Sequence, residues 1–225
     1  MIHSATQIAA PPWELRGDGF ILIYRFPEAF IRRDGNVPRF LSDKFAGGWG
    51  TVMLMDYHTS PVGAYRELLF VPGVFDVGRR WTYSVTKIYV STMASVVNGR
   101  ENWGIPKQLA DFELKQCPDN RQHISVSVDG NPFFSASLRV SAPRLPVTTR
   151  LLPFRPALIQ QSTDQPEATI LLTKPTGSGW VRTAKIETLT VDNTYFPNIE
   201  PFKPIVTINV ANFTANFPIP KVMVY

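Results

Sequence analysis

Proline and glycine interrupt this chain so often that little room is left for long helices. Twenty prolines and fourteen glycines are spread over 225 residues. Proline removes a backbone donor and fixes φ, while glycine opens positive φ, so each tends to end a regular element. The segments between them are short and rich in β-branched and aromatic residues, which predicts strands joined by turns.

Phe20-Ile-Leu-Ile-Tyr-Arg-Phe26 is too continuous to alternate and too short for a long helix, so Leu15 to Phe26 is expected to hold a buried strand. Trp49–Tyr57 and Tyr65–Val71 flank a turn at Ser60-Pro61 and Gly63, which predicts antiparallel partners. His123–Asp129 alternates polar and aliphatic residues, turns at Asp129-Gly-Asn-Pro132 and returns as Phe133–Val140, a hairpin. Trp81–Ser91, Leu109–Lys115, Val147–Phe154, Thr169–Thr173, Gly179–Val191 and Ile205–Phe217 are the remaining expected strands. Short helices are predicted near Glu28–Arg32 and over Ser91–Asn98, the latter capped by Ser91 or Thr92 and stopped by Gly99. No repeat or long linker breaks the pattern. Residues 1–225 therefore read as one domain built on a closed or nearly closed antiparallel sheet.

Composition narrows the function. With 44% hydrophobic and 18% charged residues the chain is expected to be globular. Its net charge of +5 comes from scattered lysines and arginines, without a basic run or interleaved aromatics. That speaks against nucleic acid and leaves room for a small anionic substrate. The single cysteine, Cys117, allows no internal disulfide, and its turn context offers no pocket or histidine for nucleophilic work. No leader-like segment and no apolar run of membrane-spanning length appear, so a cytoplasmic protein without membrane contact is expected. Asp56-Tyr-His58 offers two metal ligands and no third; phosphate loops, nucleophile elbows and dinucleotide fingerprints are missing. No metal or cofactor is therefore expected.

Chemistry concentrates in Asn98-Gly-Arg-Glu-Asn-Trp-Gly-Ile-Pro-Lys-Gln-Leu-Ala-Asp-Phe112. Gly104 and Pro106 set the backbone before Lys107, which is flanked by Trp103, Ile105, Leu109 and Phe112. Apolar surroundings remove solvation from an ammonium, lower its pKa and free a neutral amine. Such an amine condenses with a ketone to an iminium, an electron sink for breaking a neighbouring C–C bond. On spacing alone, a loop lysine with a packed stem and a solvated head fits as well.

Gly99-Arg100-Glu101, four residues, then Pro106-Lys107 resembles the signature of the acetoacetate decarboxylase-like superfamily, whose lysine after the proline forms the Schiff base. Pro11-Pro12-Trp13, Tyr24-Arg25 and Ser60-Pro-Val-Gly-Ala-Tyr-Arg-Glu67 resemble further family segments in the same order. The resemblance implies a β-rich α+β fold, an antiparallel cone-shaped β-barrel with a few short helices and Lys107 inside. It also implies cofactor-free chemistry, a homo-oligomer and a pocket glutamate at Glu67.

Glu67 would orient substrate or protonate the enamine, unless it is an outward strand carboxylate. Tyr65 is expected to touch substrate, with Trp103 and Ile105 as pocket walls that keep the site dry. Gln108 is either a hydrogen-bond donor to a substrate oxygen or a surface amide. Two departures stand out: a second lysine of the family is Gln108 here, and an earlier carboxylate falls near Val52. Desolvation alone is then expected to activate Lys107. Arg16 and Arg25 are candidates to meet Glu67 or a substrate carboxylate, and Lys87 to replace the lost cation. The expected function is a Schiff-base lyase for a small or polyketide-type oxo-acid, most simply decarboxylation of a β-keto acid on Lys107. A Schiff-base aldolase-dehydratase or cyclase of secondary metabolism, and a non-covalent binding barrel, are the alternatives.

Overall fold

In a computed structural model the described residues are 7–78, 80–141, 143–149, 156–162 and 169–224. The chain opens with β1 (Trp13–Tyr24), α1 (Glu28–Asp34), β2 (Phe45–Gly47), β3 (Gly50–Thr59), β4 (Tyr65–Val71) and β5 (Val74–Asp76). Next come β6 (Trp81–Tyr83), β7 (Lys87–Val90), α2 (Met93–Trp103), β8 (Lys107–Leu109), β9 (Asp111–Cys117), β10 (Arg121–Val128) and β11 (Asn131–Val140). It ends with β12 (Leu145–Thr148), β13 (Leu158–Gln161), β14 (Thr169–Thr173), β15 (Thr176–Val191), β16 (Val206–Phe217) and β17 (Lys221–Val224). The fold is β-rich α+β.

The larger sheet runs β8-β7-β4-β3-β1-β16-β15-β11-β10-β9, with β12 beside β15; a second sheet runs β17-β14-β13-β6-β5-β2. The closed cone implied by the family resemblance is not what this hydrogen bonding defines, because the ladder has two ends, β8 and β9. Those ends are consecutive in sequence and separated by Ala110 alone. One residue spans only a few ångströms, so the sheet curls until its two edges lie close. The Ala110 N–H donates to Val90 O at 3.0 Å, and Arg66 Nη1 on β4 donates to Phe112 O on β9 at 3.3 Å. These contacts tie the edges without a ladder between them.

Alternation along β4 separates two cores. Leu68 and Phe70 pack with Phe20, Leu22, Val52, Leu54, Phe133 and Phe134 in the first. Tyr65, Leu69 and Val71 face the second, with Trp13, Tyr57, Ile88, Val90, Val96, Trp103 and Phe213. Val96 and Trp103 come from α2, so the helix covers this second face. No helix among the described residues is long and apolar enough to cross a membrane.

Several local expectations change. Trp81–Ser91 is not one strand: β6 joins the small sheet and β7 the large one. The crossover is fixed by Thr86 Oγ1 donating to Gly35 O at 2.6 Å and Ser84 Oγ donating to Gln160 Oε1 at 3.3 Å. The helix does not stop at Gly99 but runs to Trp103, ending at Gly104 with φ 65. Lys107 begins a strand rather than sitting in a loop. Of Val147–Phe154, residues 150–154 lie outside the described residues.

Candidate active site

α2 starts where the Thr92 side chain accepts the Ser95 N–H at 3.3 Å, an N-cap that satisfies one of the first-turn donors. Gly99 is an unfavourable helix residue by propensity, and its place follows from what lies against it. A Cβ built on Gly99 would meet Lys107 Cδ at 2.5 Å and Cε at 2.7 Å. The lysine stem therefore lies in a groove along the helix, over the face shared by Ser95 and Gly99 one turn apart. Its backbone is held too: Arg100 Nε donates to Lys107 O at 2.8 Å.

β7 and β8 pair in parallel with Ile88 opposite Lys107, and β4 pairs with β7 with Glu67 opposite Val90. Both side chains project under α2. Lys107 Nζ lies 3.1 Å from Glu67 Oε2 and donates to Ser95 Oγ at 3.0 Å and to Tyr65 Oη at 3.5 Å. Three acceptors meet the three protons of an ammonium. Tyr57 Oη donates to the other carboxylate oxygen, Glu67 Oε1, at 3.3 Å. Lys107 is 4% exposed and Glu67 5%, so the pair sits in a medium where charge interactions are strong.

Burial by itself lowers the pKa of Lys107, but the Glu67 carboxylate and the Tyr65 hydroxyl outweigh it and hold the amine above its ordinary value. Desolvation alone was expected to produce a neutral amine; a carboxylate in contact changes the sign. Burial, with Glu67 adding to it, also pushes Tyr57 well above the usual tyrosine value. Tyr65 is pushed up to about 12, by burial first and with Lys107 pulling the other way. Both phenols keep their protons at neutral pH.

Lys107, Glu67 and Tyr65 thus converge, and Trp103 and Ile105 are buried in the apolar cluster around them. Trp103 makes an edge contact with Trp13 at 5.0 Å between ring centroids and donates Nε1–H to Pro218 O at 3.0 Å. Gln108 is not part of this group. As the next strand residue it projects to the opposite face, where it is exposed and accepts from Lys87 Nζ at 3.0 Å. Lys87 shares that face, 4.9 Å from the Tyr89 ring centroid, with its pKa lowered by burial. It therefore supplies no cation beside Lys107.

Arg16 is exposed and paired with Glu14, and Arg25 is exposed. Val52 is fully buried in the first core, on the far side of the sheet. Leu109 is 46% exposed and Phe112 packs against the first core, so neither surrounds Nζ.

Ser95 and Tyr57 were not anticipated. Tyr57 had a signal: it pairs opposite Tyr65 across the Ser60–Gly63 turn, and period-two alternation puts it on the face of Glu67. Ser95 had none once the helix was expected to end at Gly99, because only a continuous helix aligns Ser95 and Gly99 along the lysine stem.

A curled, mainly antiparallel sheet presenting one buried lysine to a carboxylate is the frame of a Schiff-base-type lyase family. The chain belongs to the acetoacetate decarboxylase family: the family model described as Acetoacetate decarboxylase (ADC) matches residues 2–175. No curated protein matches the sequence. Among solved structures, acetoacetate decarboxylase from Legionella pneumophila subsp. pneumophila str. Philadelphia 1 is similar with a TM-score of 0.71 at 14% identity, covering 99% of this chain and 92% of that one. The enduracididine biosynthesis enzyme MppR, complexed with the condensation product of pyruvate and imidazole 4-carboxaldehyde, has a TM-score of 0.66 at 15% identity, covering 98% and 92%. An acetoacetate decarboxylase-like enzyme from Sphingomonas wittichii RW1 has a TM-score of 0.67 at 13% identity, covering 96% and 94%. At these identities the likeness is one of fold.

Proposed function

We propose that this chain is a cofactor-free Schiff-base lyase acting on a small oxo-acid, with Lys107 as the amine that forms the iminium and Glu67 as its proton partner. The observation that carries this reading is the contact of Lys107 Nζ with Glu67 Oε2 at 3.1 Å in a buried site. An ammonium is no nucleophile. In a buried pair, however, the proton can pass to the touching carboxylate as a carbonyl group enters, leaving amine and carboxylic acid without net change of charge. The amine then adds to the carbonyl carbon, and loss of water gives the iminium. In decarboxylation of a β-keto acid the iminium accepts the electron pair released with CO2, and Glu67 is placed to return a proton to the enamine. Tyr65, Trp103 and Ile105 wall the site and keep it dry; Gln108, facing the other side of the strand, has no part in it.

A second reading keeps Lys107 and changes the reaction to aldol condensation and dehydration. It is favoured by the absence of a second carboxylate at Val52, and by the fold shared with MppR, which is recorded with a pyruvate condensation product. The test is borohydride trapping, with mass mapping of the adduct, in the presence of acetoacetate or pyruvate. An adduct on Lys107 supports both readings, and CO2 release from acetoacetate selects the first. No adduct with either acid removes both.

A further inference from the structure

Lys107 Nζ has one contact that neither the signature residues nor the family pattern accounts for: Ser95 Oγ at 3.0 Å. Ser95 is fully buried. Its backbone N–H is taken by the Thr92 cap, and its hydroxyl also reaches the Tyr65 phenol. The side chain is therefore not employed in capping its own helix, the usual task of a serine in a first turn. It is aimed at the reacting nitrogen by the helix that holds the lysine stem.

Of the three acceptors around Nζ, Glu67 can only accept while ionised, and Tyr65 retains its phenolic proton. A serine hydroxyl both accepts and donates, and its proton turns freely about the C–O bond. It accepts from an ammonium and, after a rotation, donates to an oxygen newly attached next to the nitrogen.

We infer that Ser95 is a catalytic residue of the imine-forming step, a hydroxyl that relays a proton from Lys107 Nζ to the oxygen of the attacked carbonyl. This rests on the lyase reading above. The ammonium first gives one proton to Glu67. The nitrogen lone pair adds to the carbonyl carbon, and the carbonyl π pair moves to oxygen. Ser95 Oγ takes a proton from the nitrogen while giving its own to that oxygen, which forms the neutral carbinolamine and leaves Ser95 unchanged. Glu67 then returns its proton to the hydroxyl, which departs as water while the nitrogen lone pair closes the C=N bond. The charges balance: ammonium, carboxylate and ketone become iminium, carboxylate and water.

Among the described residues, the titratable groups facing Nζ are Glu67 and Tyr65 of β4, with Tyr57 of β3 behind Glu67. From α2 only the neutral Ser95 faces it; Arg100 binds the Lys107 carbonyl instead. The pH profile of the step therefore follows the protonation of Lys107, and Ser95 acts on top of it.

The test uses the whole chain with Ser95→Ala, Ser95→Thr and Ser95→Cys. Two quantities are followed against pH: the NMR titration of 15N-labelled Lys107 Nζ, and the rate of borohydride trapping with acetoacetate and with pyruvate. Ser95→Ala deprives a buried ammonium of an acceptor, so its Nζ midpoint is expected to fall. Its trapping rate is expected to drop about a hundredfold, the low end of what proton-transfer catalysts contribute, even at pH values where the amine is already neutral. Ser95→Thr, which keeps the hydroxyl, restores most of the rate. Ser95→Cys, isosteric but a poor hydrogen-bonding group, does not, which keeps the relay testable should the alanine variant fold badly. Equal trapping rates across the pH range in the parent, Ser95→Ala and Ser95→Cys overturn the relay and leave the lyase reading standing. Absence of trapping in the parent overturns both.

Discussion

Gly99 and Lys107 fit together as groove and rod: a Cβ on the glycine would lie 2.5 Å from Cδ of the lysine. A helix glycine is usually a cost of about 1 kcal/mol relative to alanine, and here it is the space in which the reactive side chain lies. Gly99→Ala should gain helix propensity and lose it again to overpacking, which typically costs ~1–3 kcal/mol. The expected outcome is a folded protein of nearly parental stability in which Nζ is displaced from Glu67 and Ser95. Thermal unfolding together with borohydride trapping checks this: trapping should fall at least tenfold while the melting temperature moves by only a few degrees. Undiminished trapping would mean that the stem is free to lie elsewhere.

Glu67→Gln removes the charge that keeps the amine protonated. Burial, the largest influence on Lys107 and one that lowers its pKa, then acts without a carboxylate against it. The Nζ midpoint should move from above to below the ordinary lysine value of about 10.4. Imine formation and turnover should both fall at neutral pH, because no carboxylic acid is left to return a proton to the departing hydroxyl or to the enamine. Separate measurement of trapping and of product release distinguishes the two effects. A midpoint that stays high in this variant would show that Glu67 is not what holds the proton.

The same pair fixes the sign of a stability change with pH. In the parent the folded-state pKa of Lys107 is raised. Its contribution is therefore complete below the unfolded value and is lost as pH climbs through the folded one, a window above about pH 10. In Glu67→Gln the shift reverses, so stability should increase as pH rises through the lowered folded value toward the unfolded one. Breaking a buried pair commonly costs ~3–5 kcal/mol, and deprotonation of the lysine should recover part of that. Between pH 6 and about 10 the melting temperature should rise in the variant and stay level in the parent, which should fall only above about pH 10.

Gln108→Lys should leave Lys107 untouched. Gln108 lies against Lys87, on the other face of β8. A second ammonium there should lower the pKa of Lys87 further and weaken the β7–β8 contact. NMR titration of both lysines decides it: a shift at Lys107 larger than that at Lys87 would contradict the strand alternation.

Asn98 is 1% exposed and accepts from the Ala9 N–H at 2.8 Å while donating to Gln7 O at 2.7 Å and Ala94 O at 2.9 Å. It fastens the segment before β1 across α2. Asn98→Ala removes the side-chain partner of the half-buried Ala9 N–H and of the exposed Gln7 carbonyl, at roughly 0.5–1.5 kcal/mol for each hydrogen bond. Hydrogen exchange at Ala9 should accelerate well ahead of exchange in β3 and β4; uniform acceleration would mean that the segment and the sheet open together.

The sequence made the reactive stretch legible because its signals are local. Gly104 and Pro106 shape the backbone wherever they occur, the Pro106-Lys107 pair marks the family, and the alternating strands β10 and β11 announce their own hairpin. The Tyr65–Val71 strand could be read in the same way, down to Glu67. Along the chain Gly99 looks like a stop because glycine most often ends a helix, and its other use, close approach of a side chain from elsewhere, is invisible there.

By itself the sequence determined most of the strand segments and that Lys107 would be flanked by apolar residues, while Glu67 was tied to it only through the family resemblance, beside the alternative of an outward strand carboxylate. Only the tertiary structure decided how that lysine is charged. Desolvation follows from apolar neighbours in the chain, but a charge contact depends on strands brought together by pairing. Lys107 comes from β8, Glu67 and Tyr65 from β4, Tyr57 from β3 and Ser95 from α2. Coulomb interaction in a buried site is steep in distance, so a contact of 3.1 Å between residues forty positions apart reverses the effect that the flanking residues alone imply. The same pairing turned Gln108 away, since adjacent residues of a strand face opposite sides and only the register assigns each side a neighbour.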